Sequence, residues 1–217
     1  MRHILFFLLV ISCSVARAQE IETDSMSIDA VFESCVAMQE SLENNDTTAL
    51  VDAAIKFKEA KATSFTSLRC KDDSISSLNG HFVFNEVFVD SLAAGKDAYS
   101  NADDINRATI HRGQLTGGSI LTKTCFVKAG KNTKYTFASR GWQELGIITE
   151  PGGRVYVRVH VTNPNGFDAR YNDDKNAVKG TRRYRRSFDL PIKQRNTVEL
   201  EVINRGNKDT SFVVISN

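Results

Sequence analysis

No stretch of this sequence reaches the ~18 consecutive apolar residues that a bilayer-crossing helix requires, which excludes a transmembrane helix. There is no CxxC and no Cys/His pair at metal-ligand spacing, so the common structural zinc sites are excluded. GxSxG and HExxH are both missing, and no other catalytic signature can be placed. No segment recurs at a fixed period, which excludes solenoids and other repeat arrays. Tryptophan occurs once, at Trp142, and the formal net charge is only +2.

The N-terminus carries a positive signal of another kind. Met1-Arg2-His3 is a short basic start, Ile4 to Ile11 is an apolar run, and Ala16-Arg17-Ala18 is the small-x-small pattern of signal-peptidase cleavage. The expectation is a cleaved secretory leader over residues 1–18, with Gln19 as the new N-terminus and a secreted or periplasmic address. Val10-Ile11-Ser12-Cys13 also resembles a lipoprotein box, which keeps a lipid anchor at Cys13 as the alternative.

The small net charge hides an asymmetry. Residues 19–110 hold 7 Lys+Arg against 17 Asp+Glu, whereas residues 111–217 hold 19 against 9. Two readings stay open: a basic half that binds a partner, or an acidic part that docks on the basic part of the same chain. Three cysteines follow the leader: Cys35, Cys70 and Cys125. Cys125 alternates with Leu121 and Val127 and so faces a core, leaving Cys35–Cys70 as the expected disulfide of an exported protein. Burial as small hydrophobes is the alternative for all three.

Along the chain, Ser27 followed by Ile28, Val31, Phe32, Cys35 and Leu42 predicts a helix over 27–43. Asn44-Asn45-Asp46 predicts a turn, and Leu50, Val51, Ala54 and Phe57 a second helix over about 47–62. The pair reads as a helical hairpin whose apolar stripes need a partner. Residues 63–79 look irregular, His81 to Phe84 suit a strand, a helix is expected from Asn85, and residues 100–119 read as a linker. From Ile120 the pattern becomes short alternating strands, near 120–128, 132–139, 143–149, 153–162, 183–190, 197–204 and 210–216. Val155, Val157, Val159 and Val161 share one face. About seven strands at 8–12-residue spacing predict an antiparallel β-sandwich. The fold class is α+β: an acidic, mainly helical region (19–110) followed by a basic, jelly-roll-like sandwich (111–217).

Four groups of residues could carry chemistry. Arg182-Arg183-Tyr184-Arg185-Arg186 could grip phosphate, sulfate or another polyanion; it could equally be a charged edge strand or the dock for the acidic helices. Alternation places Tyr184 and Phe188 on one face with Arg182 and Arg186. Asp168, Asp173 and Asp174, with Asn163, Asn165 and Asn172, offer oxygens to calcium without EF-hand spacing; a polar loop explains them equally well. Trp142, beside Gly141 at a turn, could stack on a sugar ring or pack in a core. His81, His111 and His160 are the histidines beyond the leader, and a Cys125/His pair would need a reactive thiolate that burial disfavours.

The run TKTCFVKAGKNTKYTFASRGWQELGIITEPGGRVYVRV, then SFDLP and the ending VELEVINRGNKDTSFVVISN, with GHFVFNEVFVDSL and the helical beginning, resembles a family of exported proteins from Bacteroides-like, Gram-negative gut anaerobes. That family carries no assigned activity, so the resemblance implies export and a shared architecture. FVKAGKNTKYTF is similar to pre-peptidase C-terminal jelly-roll domains, non-catalytic accessory modules of secreted hydrolases.

The sequence therefore points to an exported, non-catalytic binding or interaction protein of the envelope or exterior. Its expected partners are a glycan, another polyanion or an envelope protein, not nucleic acid. No cofactor is implied beyond the calcium option. The alternatives are a structural or assembly protein of the cell envelope with the acidic part docked on the sandwich, and a hydrolase of unrecognised type.

Overall fold

The computed structural model describes residues 27–70, 120–139, 141, 143–172, 179–191 and 194–217. The leader with Cys13, the expected strand and helix after Gly80, the linker, His81, His111, Trp142, Asp173 and Asp174 lie outside the described residues.

Two helices come first, α1 (Asp29–Asn44) and α2 (Thr47–Glu59). The turn between them follows from its residues. Asn45 takes the left-handed conformation (φ 53°) that ends α1, and the Asp46 side chain accepts from the Ala49 N–H to cap α2. Ser27 sits just ahead of α1, its hydroxyl accepting from the Asp29 N–H.

Ten strands follow among the described residues: β1 (Thr63–Ser64), β2 (Arg69–Cys70), β3 (Leu121–Val127), β4 (Asn132–Ser139), β5 (Gln143–Thr149), β6 (Tyr156–Thr162), β7 (Asp168–Asn172), β8 (Arg183–Phe188), β9 (Asn196–Ile203) and β10 (Thr210–Ser216). They form two five-stranded sheets, β1-β3-β10-β5-β8 and β2-β4-β9-β6-β7. Only β1 and β3 pair in parallel; all other ladders are antiparallel. The order 3-10-5-8 over 4-9-6-7 is that of an eight-stranded jelly roll, with the two-residue strands β1 and β2 added at one edge.

The strand count differs from the expected seven at three places. β1 and β2 fall in the stretch that looked irregular, because two-residue strands carry no period. β7 falls in the polar segment after Asn163; as an edge strand with three of its five residues exposed and none buried, it shows no apolar alternation.

The interior of the sandwich is built by alternation. Val157, Val159 and Val161 of β6 meet Val198, Leu200 and Val202 of β9, and across the gap Leu145, Ile147, Phe212 and Val214. Arg158 and His160 point to the other side of their sheet, where Arg158 pairs with Glu201. The first sheet is covered on both faces, so every residue of β10 is buried. Its outer face, with Ile148, Val213 and Ile215, receives Ile28, Val31, Phe32, Cys35 and Met38 of the α1 segment and Phe57 of α2. The result is three layers: helices, sheet, sheet. No described helix is long and apolar enough to cross a membrane.

Candidate functional site

The arginine run is where sequence reasoning placed the first binding surface, and the structure splits it by strand parity. Tyr184 and Phe188 are interior residues of the sandwich. Arg186 shares their side and caps the sandwich edge, its guanidinium 4.7 Å from the Tyr171 ring centre; Tyr171 in turn meets Phe188 edge-on. Arg183 and Arg185 emerge on the opposite face, under α1. Arg182 precedes the strand and also turns to α1, so it does not share the face of Tyr184.

These three arginines form a ladder along α1. Arg185 pairs with Asp29 at 2.5 Å and binds the buried Glu144 of β5 through two nitrogens, at 2.5 and 2.6 Å. Its guanidinium lies 5.5 Å from the Phe32 ring centre. Arg183 pairs with Glu40 at 2.6 Å and donates to Gln39 Oε1, and Gln39 Nε2 donates on to the Thr149 carbonyl at 2.7 Å. Arg182 pairs with Glu43, which also accepts from the Gly152 N–H. The Arg182 hydrogen bond is the main cause holding the Glu43 carboxyl below its usual range. Asp29 is lowered too, first by the Ser27 hydroxyl and then by Arg185. The ladder is thus the dock for the acidic helix rather than an open anion site.

Of the calcium candidates, the described Asp168 and Asn163 are engaged within the β6–β7 hairpin. Asp168 sits 3.0 Å from His160 Nε2 and 3.6 Å from Arg170 Nε. Asn163 Oδ1 accepts from the Asn165 and Phe167 N–H groups, which is turn chemistry. Among the described residues no group of three His, Cys, Asp or Glu side chains could hold a metal ion. The structure shows no disulfide among Cys35, Cys70 and Cys125, so the expected Cys35–Cys70 bridge is not formed. Cys35 lies in the cluster beneath the helices, while Cys70 packs against the sandwich interior, so the first sheet separates them. His160 is on the outer face of the second sheet and Cys125 is inside, so they do not form a Cys/His pair.

A different feature draws cations together. At one end of the sandwich lies a cleft of about 990 Å³, lined by the β5–β6 turn, the start of β6, the β9–β10 turn and Lys179. Arg154, Lys179, Arg205 and Lys208 stand around it, against Glu150 and Asp209. Both carboxylates are engaged with main chain: Glu150 accepts from the Ser211 N–H at 3.0 Å, and Asp209 from the Ala129 N–H at 2.8 Å. The Arg205 guanidinium lies 4.2 Å from the Tyr156 ring centre, and Arg154 donates to the Gly180 carbonyl at 3.3 Å. Gly152 at the rim has φ +74°, which a residue with a Cβ resists. The β3–β4 turn flanks this end through the Gly130 N–H to Gly206 carbonyl bond, adding the exposed Lys128 and Lys131.

The strand ranges read from the sequence left 150–152 and 205–209 as connections between strands. That reading missed the cleft because its cations, Arg154, Lys179 and the pair Arg205 and Lys208, come from three segments well separated along the chain. Only the sheet order brings those turns to one end.

No family model matches this sequence, and no curated protein matches it. In part, the chain is similar to several solved structures. One is TmCBM61, a carbohydrate-binding module in complex with β-1,4-galactotriose: 10% identity, 45% of this chain, 81% of that one, TM-score 0.30. Another is a periplasmic inhibitor of g-type lysozyme from Salmonella Typhimurium: 16% identity, 45% of this chain, 89% of that one, TM-score 0.28. A third is the enzymatically active domain of bacteriophage CBA120 tailspike protein 4: 13% identity, 46% of this chain, 17% of that one, TM-score 0.30.

Proposed function

We propose that this is an exported, non-catalytic binding protein whose end cleft takes a polyanion, an acidic glycan foremost. The observation that carries the reading is the cleft itself: Arg154, Lys179, Arg205 and Lys208 border it, while both of its carboxylates are tied to main-chain N–H groups. These four cations are exposed to solvent, and cations that converge on one opening attract an extended anion more strongly than the same charges scattered over a surface. The Met1–Ala18 segment supports export, with lipidation at Cys13 as the other route to the envelope.

The test is titration of the full chain with heparin, a sulfated uronic-acid polymer, beside neutral dextran. Heparin is expected to bind with salt-sensitive affinity and dextran not at all. Lys179→Glu with Lys208→Glu is expected to weaken heparin by about tenfold or more, near 1.4 kcal/mol. Lys56→Glu with Lys61→Glu, on exposed positions of the helical layer, leaves it unchanged. Equal losses in both variants would reduce the effect to general charge and defeat the cleft as the site.

An assembly role draws instead on the arginine ladder, in which the acidic helix satisfies the basic strand. It requires the helical layer to remain docked when a partner binds, and accelerated hydrogen exchange in α1 on partner addition would count against it.

A further inference from the structure

Cys70 and Cys125 belong to different sheets, yet the fold directs both to one place. Cys70 is the last residue of β2, directly opposite Tyr135 of β4, so their side chains share one face of the second sheet. That face is the interior: Tyr135 is buried there and Cys70 packs against the same cluster. Tyr135 then crosses the sandwich. Its hydroxyl donates to the Phe126 carbonyl at 2.9 Å and accepts from the Phe126 N–H at 3.3 Å. Cys125, the residue before Phe126, points inward from β3 into that cluster. The connection just before β2 is tied to the same strand, since Lys123 of β3 donates to the Leu68 carbonyl at 2.7 Å. Burial pushes the Cys125 thiol up to about 12, and Cys70 is near enough to push it the same way.

We propose that Cys70 and Cys125 form a disulfide that staples the two sheets along the β2/β3 edge when the chain folds in an oxidising compartment. It takes only the compartment from the binding reading and stands or falls without the cleft. The oxidant is a disulfide, of a small thiol or of a protein. The Cys70 thiolate attacks one of its sulfurs, forming a mixed disulfide and releasing one oxidant thiolate. The Cys125 thiolate then attacks Cys70 Sγ, and the second oxidant thiolate leaves. The two cysteines lose two electrons and two protons, and the oxidant ends as two thiols. Burial disfavours the Cys125 thiolate, so the second step is slow once the interior has closed and fast while it is still open. Oxidation therefore accompanies folding.

The full chain, reduced and unfolded in urea, is refolded in mixed reduced and oxidised glutathione, alkylated, digested with trypsin and mapped by mass spectrometry. The expected product joins Cys70-Lys71 to the 124–128 fragment, with Cys35 alkylated. Recovery of Cys70 and Cys125 as alkylated or glutathionylated cysteines, or linkage of Cys70 to Cys35 or Cys13, overturns the proposal. In Cys125→Ala, Cys70 is expected to end alkylated or joined to glutathione; linkage to Cys35 there counts against it. A second reading needs no variant. The urea midpoint of the oxidised wild-type chain is expected above that of the reduced chain, and a lower midpoint overturns the staple.

Discussion

Phe32 of α1 closes directly over Gly146 of β5: a Cβ built on Gly146 would lie 2.7 Å from Phe32 Cδ2 and 3.2 Å from Ile28 Cδ1. The missing side chain lets the helix seat on the sheet. Gly146→Ala is expected to destabilise the fold by about 1–3 kcal/mol through overpacking, read as a lower urea midpoint. Phe32→Leu in the same chain is expected to recover part of that loss. Equal stability of Gly146→Ala and wild type would show that α1 does not hold this position.

Arg185 neutralises Glu144, whose side chain is only 5% exposed. Arg185→Met leaves a buried carboxylate with the Ile28 N–H as its other partner. Breaking such a pair costs about 3–5 kcal/mol when fully buried. Because the Arg185 side chain is 31% exposed, the expected loss is nearer the low end. Arg185→Met with Glu144→Leu removes both charges and is expected to be more stable than the single variant. Chemical denaturation of the three chains settles the order.

The docking ladder predicts an acid limit. Glu43 and Asp29 have carboxyls held below their ordinary values of 4.5 and 3.8 in the folded protein. A lowered folded value means that the stabilisation is complete above the unfolded value and is lost as pH falls through the folded one. Their contribution is therefore constant from neutral pH to about 5 and declines below about 4.5. Glu43→Gln is expected to lower stability at pH 7 and to flatten the decline at acid pH. Urea midpoints measured from pH 7 to pH 3 test this; parallel curves would remove Glu43 from the acid transition.

Tyr135 completes an unfinished edge. β1 reaches only Leu121 and Thr122 of β3, and further along β3 the Tyr135 hydroxyl serves both main-chain polar groups of Phe126. Tyr135→Phe keeps the ring, which meets Phe212 edge-on, and deletes the hydroxyl. Two backbone groups then lose a partner inside the sandwich, with an expected cost of about 1–3 kcal/mol. Faster amide exchange at Phe126 is the local readout, and an unchanged rate there would refute the role.

Most strands were legible because their cause is local. Val157, Val159 and Val161 alternate with Arg158 and His160, and the pleat turns that alternation into an inside and an outside. β7 was illegible for the opposite reason: an exposed edge strand is held by its ladder to β6, which leaves no mark on its side chains. The arginine run shows both limits. Its alternation put Tyr184 and Phe188 on one face with Arg182 and Arg186; the fold makes that face the interior and turns Arg182 to α1 instead. Whether Arg183 and Arg185 meet a ligand or helix α1 depends on which surface covers that face, a long-range fact.

The two helices, their turn at Asn45-Asp46, the sandwich class and the inward faces of strands such as β6 could be read from the residues alone. These follow from periods of a few residues and from turn chemistry. It took the fold to show that α1 covers the first sheet, that the 150–154 and 204–209 turns share one end, and that Cys70 packs against the sandwich interior that holds Cys125, with Cys35 in the separate cluster beneath the helices. Those relations join residues many positions apart, and they are set by sheet order, which no local pattern encodes.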